Sequence, residues 1–212
     1  MLERIKCGVV NCYLVTDSGG SVLLDAANPS DASRIYRRVK NKNVRLILLT
    51  HGHPDHIGGA YTLARLLRVP VAMNARDVEL LQRPGAGNLR AHTVFGKVLA
   101  FWSKSTLSAK ARDPLSPDIW LEDGRTLSEY GIDARIVALP GHTRGSVGVL
   151  TGEGDFVVGD ALFNILRPTA ALLYEDRMQM EKSVEAITQS GARLLHPGHG
   201  QPFTMDKIHP LG

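Results

Sequence analysis

Six consecutive residues, His51-Gly52-His53-Pro54-Asp55-His56, carry three imidazoles and a carboxylate. His51 and His53 are two apart, so an extended backbone points both the same way. Asp55 and His56 are adjacent and point to different places, so one cluster can feed two metal ions. Imidazole and carboxylate together suit Zn²⁺, Mn²⁺ or Fe. The cluster directly follows residues 44–49, a largely apolar run typical of a strand buried on both faces. It therefore ties the chain to a sheet-based fold whose site is built at strand ends.

The same arrangement recurs along the chain. A strand over 132–139 is followed by His142, one over 155–158 by Asp160, and one over 192–195 by His196-Pro197-Gly198-His199. Four strand ends, each delivering His or Asp, can converge on one point. The first half reads as strands over 9–16 and 21–25 around the turn Asp17-Ser18-Gly19-Gly20, a helix from Ser30 or Asp31 to about Lys42, a helix over 60–67 and a strand over 69–73. The second half repeats that logic, with a hairpin of 146–151 and 155–158 and a helix over 176–190 opened by an Asp176/Gln179 capping box. The alternation predicts an α/β layered fold. Residues 78–118 differ, being irregular and rich in Pro and Gly. Long loops of this kind are functional or partly helical. A helix is expected over 94–103, with Phe95, Phe101, Trp102 and Leu107 lining a lid over the site or packing the lid's own core.

The chain's 212 residues suit one domain able to bury its core without structural metal, so any metal is expected to serve chemistry. Cys7 and Cys12 are not in C-x-x-C spacing and read as buried free thiols. Charges are scattered through the N-terminus and no apolar run is long enough to span a bilayer, so neither signal peptide nor membrane partner is expected. A cytoplasmic location is the default. The net charge of +4 demands no nucleic-acid partner, and the basic run Arg34, Arg37, Arg38, Lys40, Lys42 reads as a solvated helix face.

Four segments, His51 to His56, Pro140-Gly-His-Thr143, Val158-Gly-Asp-Ala-Leu-Phe163 and Pro197-Gly-His-Gly200, resemble the ordered motifs of the metallo-β-lactamase superfamily. Asp25 matches that family's first motif, and the resemblance spans residues 8–202. It implies a four-layer αββα sandwich of two similar halves with the metals at one edge. It also implies that His51, His53 and His142 bind one metal, that Asp55, His56 and His199 bind a second, and that Asp160 bridges both. Asp25 then braces the histidine loop. Two divalent ions follow, zinc first, with iron or manganese as alternatives.

Asp160 stands where many true β-lactamases have Cys or Ser, and so looks like glyoxalase II and the lactonases. The helical region with which glyoxalase II grips glutathione has no counterpart in the thirteen residues after His199. Phe163 replaces the tyrosine of quorum-sensing lactonases. The resemblance implies a hydrolase in which a hydroxide shared by two metals cleaves a thioester, ester or lactone in a small-molecule substrate, with Asp55 orienting the nucleophile and moving a proton. The competing expectations are a phosphodiesterase or nuclease on the same scaffold, and an iron-dependent redox or sulfur-oxidising protein. A homodimer is possible. His92, His196 and His209 have no motif context and are expected not to be ligands. Arg167 reads as a surface arginine, with capture of a carboxylate or phosphate as the alternative.

Overall fold

Successive residues of a strand face opposite ways, and here both faces are apolar, so the sheet must be covered on each side. The computed structural model describes residues 1–82, 90–91, 115–171 and 173–208. The first half comprises β1 (Leu2–Cys7), β2 (Val10–Asp17), β3 (Gly20–Leu24), α1 (Ala32–Val39), β4 (Val44–Leu48), α2 (Pro54–Ile57), α3 (Ala60–Leu67), β5 (Val71–Met73), α4 (Val78–Gln82), β6 (Arg90–Ala91) and β7 (Ile119–Trp120). The second comprises β8 (Ala134–Ala138), β9 (Val147–Thr151), β10 (Asp155–Asn164), β11 (Pro168–Ala170), β12 (Leu173–Tyr174), α5 (Arg177–Thr188), β13 (Leu194–Gly200) and β14 (Phe203–Thr204).

The main sheet runs in the order β7-β5-β4-β3-β2-β13-β10-β9-β8. The two halves join where β2 meets β13 antiparallel at Val10 opposite His199. Alternation along the strands then separates three apolar layers. Cys12, Leu14, Leu23 and Ile47 pack on Ile35 and Val39 of α1 and Leu63 of α3. Their neighbours Tyr13, Val15, Val22, Leu24, Leu46 and Leu48 face Ile136, Val147, Val149 and Val157 of the other half. Beyond that half, Leu150, Phe156 and Val158 pack on Met180 and Ile187 of α5. Helix, half-sheet, half-sheet, helix is the four-layer αββα sandwich expected.

Several boundaries differ from expectation for identifiable reasons. Helix α1 stops at Val39, with Lys40 as its cap, rather than near Lys42. Its basic face is solvated and partly paired. Arg38 Nε lies 2.5 Å from Glu3 Oε1, and Arg34 bonds the Lys6 carbonyl and faces Asp31. Strand β1 was not anticipated, because Glu3, Arg4 and Lys6 mask its alternation; it pairs with β2 along its whole length. The stretch after 78 opens with helix α4 rather than irregular chain. The expected helix over 94–103, and with it Phe95, Phe101, Trp102 and Leu107, lies outside the described residues.

Asp160 and His199 were expected after strand ends, yet both lie within strands. Between Gly159 and Phe163 β10 advances four residues while β13 advances two, from Pro197 to His199. The surplus forms a bulge, which re-aims side chains. Gly159 takes a φ of 53°, which a β-carbon would disfavour. Pro197 lies in a central strand at this irregularity, the kind of position where a strand accommodates proline.

Among the described residues no helix is long and apolar enough to cross a membrane. Leu48 is fully buried between the half-sheets. Leu48→Ala is expected to lower stability by about 2–5 kcal/mol, read as a shifted urea midpoint with unchanged secondary structure.

Candidate metal centre

One segment from the first half, residues 51–56, and three from the second meet at one site. His51 follows β4, and His53 caps the short helix α2, whose first turn carries Asp55 and His56. His142 stands in the loop after β8, Asp160 in the β10 bulge and His199 on β13. The seven residues singled out from sequence all converge. Their donor atoms fall into three groups, His51 with His53 and His142, His51 with His56 and Asp160, and Asp55 with His56 and His199, each lying within 4.8 Å.

Asp160 sits between the groups. Its Oδ2 is 3.3 Å from His199 Nε2, 3.5 Å from His142 Nε2 and 3.9 Å from His51 Nε2. Its Oδ1 is 3.5 Å from His56 Nε2. His53 Nδ1 lies 2.8 Å from His142 Nε2, and His56 Nε2 lies 3.3 Å from His199 Nε2.

Hydrogen bonds around the rim settle which ring nitrogen points inward. Asp25 accepts from the Thr50 N–H at 2.8 Å and from the Thr50 hydroxyl at 2.9 Å, and His56 Nδ1 donates to it at 2.7 Å. Since the Thr50 proton goes to Asp25, Thr50 Oγ1 is left to accept from His51 Nδ1 at 3.0 Å. His142 Nδ1 donates to the Leu173 carbonyl at 2.7 Å and His199 Nδ1 to the Val9 carbonyl at 3.0 Å. A ring whose Nδ1 carries the proton presents a lone pair at Nε2. Four imidazoles therefore aim Nε2 at Asp160.

Charge follows the same division. Burial, then the nearby His56, holds His51 well below the usual imidazole range. Burial and His142 push His53 down to about 3, and burial also lowers His142. His56 goes the other way. Burial opposes its charge, but Asp160, Asp25 and Asp55 together raise it to about 10. Burial works against ionised Asp160 too, yet His199 and His56 hold it well below the carboxylate range. The carboxylates thus require positive charge among them. Among the described residues it comes as an imidazole proton on His56, whereas a divalent cation would leave the lone pairs free. Among the described residues His51 Nε2 and Asp160 Oδ1 are buried without a hydrogen-bond partner, a state that is costly unless something else satisfies them. The donor set fits a divalent metal.

Residues not anticipated from sequence complete the support. Asn11 Nδ2 donates to the carbonyls of Pro197 at 3.0 Å and Gly200 at 2.8 Å, and the Tyr13 hydroxyl donates to Pro197 at 2.7 Å. These bonds hold β13 on either side of His199. An amide inside the apolar run Val9-Val10-Asn11-Cys12-Tyr13 was the available signal. Phe163 packs edgewise on His142 and against His199, with centroids at 6.2 and 5.3 Å. His196 is outside the cluster, bonded to Asp155 at 2.8 Å and packed on Tyr13. Arg167 is exposed after β10, and His92 and His209 lie outside the described residues.

Residues 5–199 match the family model described as the metallo-beta-lactamase superfamily. A hydroxyacylglutathione hydrolase of Acidiphilium cryptum is 31% identical over 155 residues, which cover 72% of this chain and 49% of that protein. The chain thus spans about half the length of this relative. The solved structure of the B3 metallo-beta-lactamase BLEG-1 superposes with a TM-score of 0.77 at 22% identity, covering 98% of this chain and 95% of that one. TTHA1623, solved in a di-iron-bound form, superposes at 0.69 with 26% identity, covering 96% and 95%.

Asp25→Ala would leave the Thr50 and His56 donors buried without their acceptor. It is expected to cost about 3–5 kcal/mol, measured by chemical denaturation of metal-free protein.

Proposed function

The chain belongs to the metallo-β-lactamase superfamily, and on that premise we propose that it is a dinuclear metal-dependent hydrolase that cleaves a thioester, ester or lactone. His51, His53 and His142 would hold one ion and Asp55, His56 and His199 the other, with Asp160 placed to serve both. The observation that carries this reading is the position of Asp160, whose two oxygens face Nε2 atoms of histidines from both groups. Bound divalent ions supply Lewis acidity and bring the pKa of water towards neutrality.

The chain's own residues do the rest. The rim acceptors Asp25, Thr50, Leu173 and Val9 keep the imidazoles in the tautomer that offers Nε2. Asp55 is the most exposed carboxylate of the set, at 37%, and its Oδ2 lies 3.5 Å from His199 Nε2. It is therefore suited to orient the attacking water and to pass a proton to the leaving group. Phe163 provides an apolar wall beside His142 and His199, without the phenol that would polarise a lactone carbonyl.

The hydroxyacylglutathione hydrolase relative supports acyl cleavage, and a thioester is the first substrate class to test. Zinc is the proposed metal. The di-iron form of a neighbour at 26% identity supports iron as the alternative, and with it a second reading as an iron-dependent redox or sulfur-oxidising protein. The enzyme then works in the cytoplasm on a small molecule, without nucleic-acid or membrane partners, alone or as a homodimer.

Elemental analysis paired with a panel of thioesters, lactones, β-lactams and phosphodiesters tests the reading, with oxygen uptake as the check on the second one. Two metal ions per chain and thioester or lactone turnover are expected, and hydrolysis of phosphodiesters alone would overturn the substrate class. Asp160→Ala should lose bound metal and turnover together; a variant that kept both would refute the shared-carboxylate role.

A further inference from the structure

We propose that Asp77 is a positioning residue that sets the geometry of the His51, His53 and His142 group in particular. The inference rests on the metal-site reading above. Asp77 lies just before α4, far in sequence from every motif, and is 1% exposed. Its Oδ2 accepts from the Gly52 N–H at 2.9 Å and from the Thr143 hydroxyl at 2.7 Å. Its Oδ1 accepts from the Gly145 N–H at 2.6 Å. Gly52 separates His51 from His53, and Thr143 follows His142. One carboxylate thus ties the two backbone segments that deliver these three imidazoles.

The fit is close. A β-carbon at Gly145 would stand 2.7 Å from Asp77 Oδ1, so the loop after His142 approaches as only glycine allows. Thr143 is held a second time, its N–H donating to Ser146 Oγ at 3.1 Å and its hydroxyl lying 2.7 Å from the same atom. The hydrogen bonds of Asp77 go to Gly52, Thr143 and Gly145, whereas His56 is braced by Asp25, and His199 by the Val9 carbonyl with Asn11 and Tyr13 holding β13 on either side of it. Backbone N–H groups point at both oxygens of Asp77. An amide in its place must turn its NH₂ towards one of them, donor against donor.

Stepwise zinc titration of metal-free protein against a chromophoric chelator, with wild type, Asp77→Asn and Thr143→Val compared, is the test. His142→Asn identifies the step that belongs to the His51, His53 and His142 group. Outer partners of metal-bound histidine typically contribute 10–100-fold to affinity. Asp77→Asn is expected to weaken that step by roughly this factor while leaving the other within about threefold. Thr143→Val, which removes one bond of three, should weaken the same step by less. Equal weakening of both steps, or a folded Asp77→Asn with both unchanged, would overturn the proposal. Should Asp77→Asn not fold, Thr143→Val decides by the same comparison. A wild type that binds no zinc would sink the metal-site reading itself, an outcome distinct from two-step binding that is indifferent to Asp77.

Discussion

The centre depends on one buried acceptor, Asp25. It takes three hydrogen bonds, and each fixes something further away. The bond from the Thr50 N–H fixes the chain leaving β4. The bond from the Thr50 hydroxyl commits that proton and thereby makes Thr50 an acceptor for His51. The bond from His56 fixes the second ring directly. Asp25 reaches this position in the left-handed region, with φ of 61°, an arrangement costing roughly 1 kcal/mol or more for a residue with a side chain. Local strain persists where the surroundings over-determine it, and here three hydrogen bonds do so.

A carboxylate so placed works only because the layers hold it still. Asp25 directly follows β3, whose Leu23 and Leu24 are fully buried in different apolar layers. On the other side of the site, Asp160 is delivered by a bulge in β10, against a β13 held by Asn11 and Tyr13 of β2. Regular strand geometry would send every second residue to the same face. The bulge breaks that rule at one place and brings a carboxylate among four rings.

The metal set was legible because it is local and chemically unusual. Residues 51–56 state it in one line, and His142, Asp160 and His199 recur in Gly-containing contexts that mimic it. Binary patterning likewise gave the main strands, since β3 and β4 are apolar and short. What escaped was long-range or irregular. Nothing in a two-residue period announces that β10 runs on to Asn164, because the bulge exists only relative to β13. Strand β1 hid behind its charges. Asp77 left no signal, and Asn11 only that of an amide in an apolar run, for a different reason. Each is a lone polar residue whose meaning lies in backbone atoms contributed by segments scores of residues away.

The dependence also runs from the site back to the fold. The donors come from both sides of the β2–β13 junction, with residues 51–56 from one half and His142, Asp160 and His199 from the other. That junction has a single registered pair, Val10 with His199, supplemented by side-chain bonds from Asn11 and Tyr13. A cation gripping both sets binds the docked halves and not the separated ones. Its binding free energy therefore adds to folding stability by mass action. The apolar layers make each half a sheet packed on helices, and the charge buried between them makes the junction responsive to metal. In this chain the candidate metal centre is also the place where the two halves are joined.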